Sequence, residues 1–281
     1  MLSLKKILIA LAFFGASTPL AFPSVSIKVT GGMGFLFRND YNTGGQGIYE
    51  YYRSSYGAAA GQFNPLRLGA EFCGEVALAF SKRLAVGLGV GYARYARTSQ
   101  FGYEWSFFSS AETLKPSIRL VPLTVNIHYY TPMQRRLKTD IYVGAGYYLM
   151  TFDHDWDVKT NFFSYETSQT FGSKKGALGF QAGICFEIAL TPQVALIVQA
   201  NGRLVKFAEI SGVLKKTGHW FMGDWQEENG SAYFWFFVRD NEFAQILFSP
   251  TEPSETEFSV IRKGRLDLSG VSAGIGLKFI F

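Results

Sequence analysis

Period-two alternation, repeated along most of the chain, limits what this sequence can become. From Ser24 the odd positions read Val25, Ile27, Val29, Gly31, Met33, Phe35 and Phe37. The even positions read Ser26, Lys28, Thr30, Gly32, Gly34 and Leu36. Successive side chains of an extended strand point to opposite faces, so this is a strand with two unlike sides. At fourteen residues it is longer than most strands of soluble sheets. The pattern recurs at 66–80, 84–93, 121–130, 141–150, 177–188, 194–203 and 267–281, which gives eight strands.

The second face distinguishes two ways of closing such a sheet. A soluble barrel turns its apolar parity inward and washes the other with water. A water-facing strand then carries Lys, Glu, Thr or Gln. Here the partners of Leu84, Val86, Leu88, Val90 and Tyr92 are Ala85, Gly87, Gly89, Gly91 and Ala93. Small residues with a few charges suit a cramped interior, which places the apolar parity outside, in lipid.

The connections alternate in length. Three are short, near Ser81, Thr131 and Thr191. Four are long, at 38–65, 97–116, 152–175 and 207–264. An even strand count, with short turns at one end and long loops at the other, is the layout of a bacterial outer-membrane barrel. The fold expected is therefore all-β, an eight-stranded antiparallel up-and-down transmembrane β-barrel with long extracellular loops.

The N-terminus agrees with that location. Lys5 and Lys6 precede an apolar run from Ile7 to Ala16 and then small residues. This is the layout of a secretory signal peptide, too short to span a bilayer as a helix. Residues 1–22 are read as the signal, with cleavage between 17 and 24, and 23–281 as a single barrel domain. Loss of the two lysines lowers the net charge from +5 to about +3. The remaining Lys and Arg are scattered and form no basic stripe, so nucleic acid is not an expected partner. At 48% hydrophobic and 17% aromatic, the chain is also too apolar for disorder.

The segments 121–130 (VPLTVNIHYY), 141–149 (IYVGAGYYL) and 267–281 (DLSGVSAGIGLKFIF) resemble small outer-membrane β-barrels of the OmpA-type and OmpW-type. The resemblance covers the strands, a little over half the chain, and stops at the long loops. It implies contact with outer-membrane lipid and lipopolysaccharide, and a monomer inserted by the barrel assembly machinery. In it, Phe281 is the C-terminal assembly signal. Architecture is shared across such families while loops differ, so it implies no activity.

Eight strands enclose a lumen just wide enough for side chains. The inward parity supplies Lys28, Arg67, Glu71, Glu75, His128, Glu187, Arg203 and Lys278. Lys28, Glu75, Glu187 and Lys278 fall near the short-turn end; Arg67, Glu71 and Arg203 fall higher. Both signs occur at each level, so a lumen plugged by ion pairs is expected, with a narrow ion or solute path as the alternative. Lys278 is expected to meet Glu75 or Glu187. Glu71 and Glu75 are about 13 Å apart along one strand, too far to act on one bond. Cys73 and Cys185 fall across the lumen from each other, beyond disulfide reach, and are expected as free thiols.

All five tryptophans, Trp105, Trp156, Trp220, Trp225 and Trp235, fall in the long loops. They read as part of an outer aromatic girdle, as loop packing, or as a binding surface for a protein, glycan or apolar molecule. The fourth loop is long enough for its own hairpin. His154 lies between Asp153 and Asp155, but on an extended chain these point away from it, and His219 is isolated; no metal site or cofactor is expected. No outward His stands near a Ser, so no catalytic constellation is expected. The functional expectation is a closed barrel acting as a structural membrane component or a surface-binding protein. Passage of small apolar molecules is the alternative, and a lipid-modifying enzyme a third.

Overall fold

The computed structural model describes residues 24–37, 39–56, 59–105, 108–134, 137–161, 165–220, 223–239, 243–253 and 258–281. The expected signal segment lies outside them. The described chain is almost wholly antiparallel sheet. In order it forms β1 (Ser24–Leu36), α1 (Asp40–Tyr56), β2 (Ala59–Gln62), β3 (Leu68–Ala79), β4 (Leu84–Ala96), β5 (Ser99–Trp105), β6 (Phe108–Gln134) and β7 (Leu137–Thr160). Then follow β8 (Glu166–Ala189), β9 (Val194–Phe207), β10 (Ser211–Trp220), β11 (Gly223–Arg239), β12 (Phe243–Ser249), β13 (Phe258–Lys263), β14 (Leu266–Asp267) and β15 (Gly270–Ile280).

The ladders return to their start. β1 pairs with β3, β3 with β4, β4 with β6, β6 with β7 and β7 with β8. β8 then pairs with β9, β9 with β15 and β15 with β1. Each member of this ring corresponds to one of the alternating segments. Two of the short connections use the same device: Ser81 Oγ accepts from the backbone N–H of Arg83 and Leu84, and Thr191 Oγ1 from that of Gln193 and Val194. A hydroxyl that satisfies two turn donors fixes a tight reversal. Among the described residues no helix is long and apolar enough to cross a membrane.

The outside and inside are reversed relative to a soluble protein. Val29, Met33, Phe72, Leu88, Phe180 and Ile275 are half to two-thirds exposed. Lys28, Glu75, His128, Asp140, Glu187, Arg203 and Lys278 are buried. An apolar band of this extent is paired with a charged interior only where the surrounding solvent is lipid.

The long-loop end departs from the expected loops. A transmembrane strand needs about 9–11 residues. β6, β7 and β8 have 27, 24 and 24. The regions expected as loops at 97–116 and 152–175 are largely the upper halves of these strands. β7 keeps β6 and β8 along its whole length, while β6 and β8 each acquire a new neighbour. β8 pairs with β9 below and with β10 above, while β6 pairs with β4 below and with β5 above. The fourth loop contributes β10–β13, and β11 pairs with β10, β12 and β13. The first loop holds α1, which packs against β12 and β5 and fills the inner side of this raised wall.

Candidate functional site

The lumen is built in layers. At the short-turn end Lys28 lies directly across the β1–β3 ladder from Glu75, and Nζ meets Oε1 at 2.7 Å. Lys28 is also the register partner of Lys278 on β15. The two buried ammonium groups therefore diverge. Lys278 reaches Glu187 Oε1 at 2.6 Å and donates to the Tyr130 hydroxyl at 3.2 Å. Of the two partners expected for Lys278, the structure selects Glu187.

Glu75 is the hub of the lower layer. Asn126 Nδ2 donates to its Oε2 at 2.5 Å, and His128 Nε2 faces its Oε1 at 3.2 Å. The other ring nitrogen, Nδ1, lies 3.0 Å from both carboxylate oxygens of Asp140. Above it, Gln181 donates to Asn126 at 2.8 Å and Gln199 to Thr30 at 3.1 Å. The inward glycines make room for these groups. A Cβ at Gly144 would meet Asn126 Oδ1 at 2.0 Å, and one at Gly87 would meet His128 Nε2 at 2.8 Å.

The upper layer is Glu71, Arg203 and Tyr95. Arg203 reaches Glu71 at 3.0 Å and the Tyr95 hydroxyl at 2.8 Å, and Tyr95 donates to Glu71. The space left between the layers is about 60 Å³, enough for a few waters.

Arg67, expected in this lumen, is exposed and lies outside it. The strand parity ends one residue short of it. Asn42 of α1 grips the backbone of Leu66 at both ends: its Oδ1 accepts from Leu66 N–H at 2.7 Å and its Nδ2 donates to Leu66 C=O at 3.1 Å. This turns Leu66 fully inward and Arg67 out. Asp140 is a lumen residue that the sequence reading left out. It sits one parity step before Tyr142, between the expected turn and the expected strand start at Ile141, but β6 and β7 stay paired as far as Gln134 and Leu137.

Above Arg203 the interior becomes apolar. Leu36, Ile118, Leu120, Phe152, Phe171, Phe234 and Phe248 are fully buried there. His154 lies in this cap, on the inward parity of β7, stacked on Phe248 at 4.7 Å with its Nδ1 3.3 Å from the Tyr41 hydroxyl. Burial without a charged partner pushes its pKa down to about 3. Nearby, Trp156 Nε1 donates to Glu112 at 3.1 Å, and burial raises the Glu112 carboxyl.

The tryptophans do not share one surface. Trp156 packs against the cap, whereas Trp235 is buried on the other face of β11, beside Tyr233, with its Nε1 donating to Ser249 C=O at 3.1 Å. Trp225 is exposed at the β10–β11 hairpin and lies on Gly218. The side chains of Trp105 and Trp220 lie outside the described residues. The exposed aromatics at this end of the strands include Tyr92 and Tyr147. Phe281 is exposed, and its N–H donates to Val25 C=O at 2.9 Å.

Cys73 and Cys185 are free thiols. Asp140, Cys185 and Glu187 bring donor atoms within 4.8 Å of one another. Both carboxylates are already engaged, by His128 and by Lys278, so a metal ion there would have to displace an ion pair. His219 meets Asp224 at 2.5 Å on the exposed hairpin.

No protein-family model and no curated protein matches this chain. Among solved structures it is similar to a major outer membrane protein of Thermus thermophilus, at 12% identity, 92% of this chain, 99% of that one and a TM-score of 0.38. It is similar to the outer membrane protein AlkL in lipid bilayers at 13% identity, 95% of this chain, 93% of that one and a TM-score of 0.30. It is similar to the outer membrane protease OmpT of Escherichia coli at 7% identity, 95% of this chain, 100% of that one and a TM-score of 0.31. The class is defined by the chain's own ring, apolar outside and ionic inside. This is an all-β protein with the make-up of an outer-membrane β-barrel.

Proposed function

We propose that the chain is an eight-stranded transmembrane barrel with a closed lumen, acting as a non-conducting membrane scaffold that holds a raised sheet outside the cell. The observation that carries this is the double seal. The periplasmic half is filled by the networks centred on Glu75, Glu187 and Arg203, and the extracellular half by the apolar cap under α1. Charges that each hold a partner form a fixed plug, and an apolar cap excludes water.

Each described histidine is engaged within a structural contact: His128 with Asp140, His154 with Tyr41, His219 with Asp224. That supports a scaffold over a hydrolase. Uptake into liposomes carrying the purified full chain tests the reading. Neither a small sugar nor a small apolar dye should enter faster than into protein-free vesicles. Dye uptake alone would favour passage of apolar molecules, and uptake of both would open the lumen.

A further inference from the structure

Four adjacent strands change from apolar to polar at the same register row. Tyr92, Val121, Leu149 and, one step lower, Leu178 are the last outward apolar residues of β4, β6, β7 and β8. The next outward positions are Arg94, Arg119, Thr151 and, after Gly176 on β8, Lys174, and these are successive partners: Arg94 opposite Arg119, Arg119 opposite Thr151, Thr151 opposite Lys174. Directly opposed like charges destabilise a sheet. Only Asp153 relieves them, at 2.6 Å from Arg119 Nη2. Among the described residues Arg94 and Lys174 have no side-chain partner. Three cations therefore share one carboxylate on the outer wall.

Tyr92 and Tyr147 fix the depth of this row. Both are about 40–46% exposed, and Tyr147 lays its hydroxyl over Gly176, two residues below Lys174. Amphipathic rings at the top of an apolar band sit at headgroup level. Beside the row the wall is hollow. An open groove of about 580 Å³ is lined by Thr151, Asp153, Gly172, Lys174, Gly230 and Tyr233. A Cβ at Gly230 would meet nothing within 4 Å, and one at Gly172 only Asp153 Oδ1 at 3.6 Å. Neither glycine has the positive φ that would require it. The local packing accommodates a side chain at both places, and the groove is the space left without one.

We propose that this face binds a phosphorylated glycolipid of the outer leaflet. Its phosphates lie on Arg94, Arg119 and Lys174, its sugars in the Gly172–Gly230 groove, and its acyl chains along the apolar band below. Arg and Lys at headgroup depth contribute about 1 kcal/mol each toward anionic lipid, close to fivefold in affinity. The site rests on the membrane orientation of the proposed barrel but not on its closed lumen.

Purified, folded full-length protein in detergent is titrated with bisphosphorylated lipid A, with its dephosphorylated form, with phosphatidylglycerol and with inorganic phosphate. Bisphosphorylated lipid A should bind tightest, and inorganic phosphate should not displace it. Arg94→Gln and Lys174→Gln remove cations that hold nothing else, so folding, read by heat-modifiable electrophoretic mobility, should be unchanged. Each should weaken lipid A binding about fivefold. Gly230→Leu should weaken it while keeping every charge. Equal affinity for the dephosphorylated lipid, or unchanged affinity in both charge variants, would overturn the site. Equal affinity for phosphatidylglycerol would overturn the assignment to a glycolipid. Wild-type protein without heat-modifiable mobility would overturn the barrel reading itself.

Discussion

Glu187 and Lys278 illustrate how single residues hold the lumen. They sit on strands separated by β9, and their 2.6 Å contact ties β8 to β15 across the interior. Breaking a buried pair by removing one partner leaves a charge without compensation and costs about 3–5 kcal/mol, whereas replacing both can be nearly neutral. Lys278→Met and Glu187→Met should each lower stability by about that much, and the double variant should recover most of it, read from urea unfolding of the vesicle-inserted protein. Equal, additive losses would mean that the pair contributes little as a pair. At this scale parity was a good guide within strands. It placed Lys28, Glu71, Glu75, Glu187, Arg203 and Lys278 on the inner face from period two alone. It failed at strand ends, where neighbouring elements decide: Asn42 turns Arg67 outward, and the long β6–β7 ladder keeps Asp140 in.

At the scale of elements, α1 was not legible, and its composition shows why. DYNTGGQGIYEYYRSSY carries three glycines near its start, each costing about 1 kcal/mol in helix propensity. The helix is held from outside. Asn39 Oδ1 accepts from the Asn42 N–H at 2.9 Å as an N-cap, and Asp40 in the first turn takes both Arg262 guanidinium nitrogens, at 2.5 and 2.8 Å. The glycines let it approach β12. A Cβ at Gly47 would meet the Ala244 carbonyl oxygen at 1.7 Å. Gly47→Val should therefore displace α1 and make it protease-sensitive while the heat-modifiable ring survives. Retention of protease resistance would show that the helix tolerates a wider spacing.

The cap beneath α1 should also respond to acid. The folded His154 titrates near 3, below the ordinary 6.5, so the closed cap favours the neutral ring. Its contribution is complete above about pH 6.5 and is lost progressively as pH falls toward 3. Glu112 opposes this, since its raised pKa makes protonation easier in the closed cap. Hydrogen exchange of α1, corrected for intrinsic rates, should accelerate between pH 6.5 and 4 relative to the His154→Phe variant. Identical profiles would remove His154 from the account.

Across the whole molecule, the eight-membered ring and its order were legible because lipid outside and a tight interior impose opposite chemistry on alternate residues. The raised wall was not. Above the membrane band the outward positions turn polar and the inward ones apolar, as at Asp153 and Phe152, so the upper strands read like mixed loop sequence. The upper partner of β8 is β10, which lies beyond the whole of β9, and no local pattern announces such pairing. The tryptophans misled for a related reason: Trp156 packs inside this wall and Trp235 is buried within the β11 sheet.

The central claim is that both halves of the barrel are sealed. Single-channel recording of the full-length protein in planar bilayers tests it most directly. The account predicts no steady conductance above the protein-free baseline at neutral pH. Reproducible, long-lived conductance steps would contradict it, because the proposed seal leaves ions no path past the Glu75 and Glu187 networks and the apolar cap.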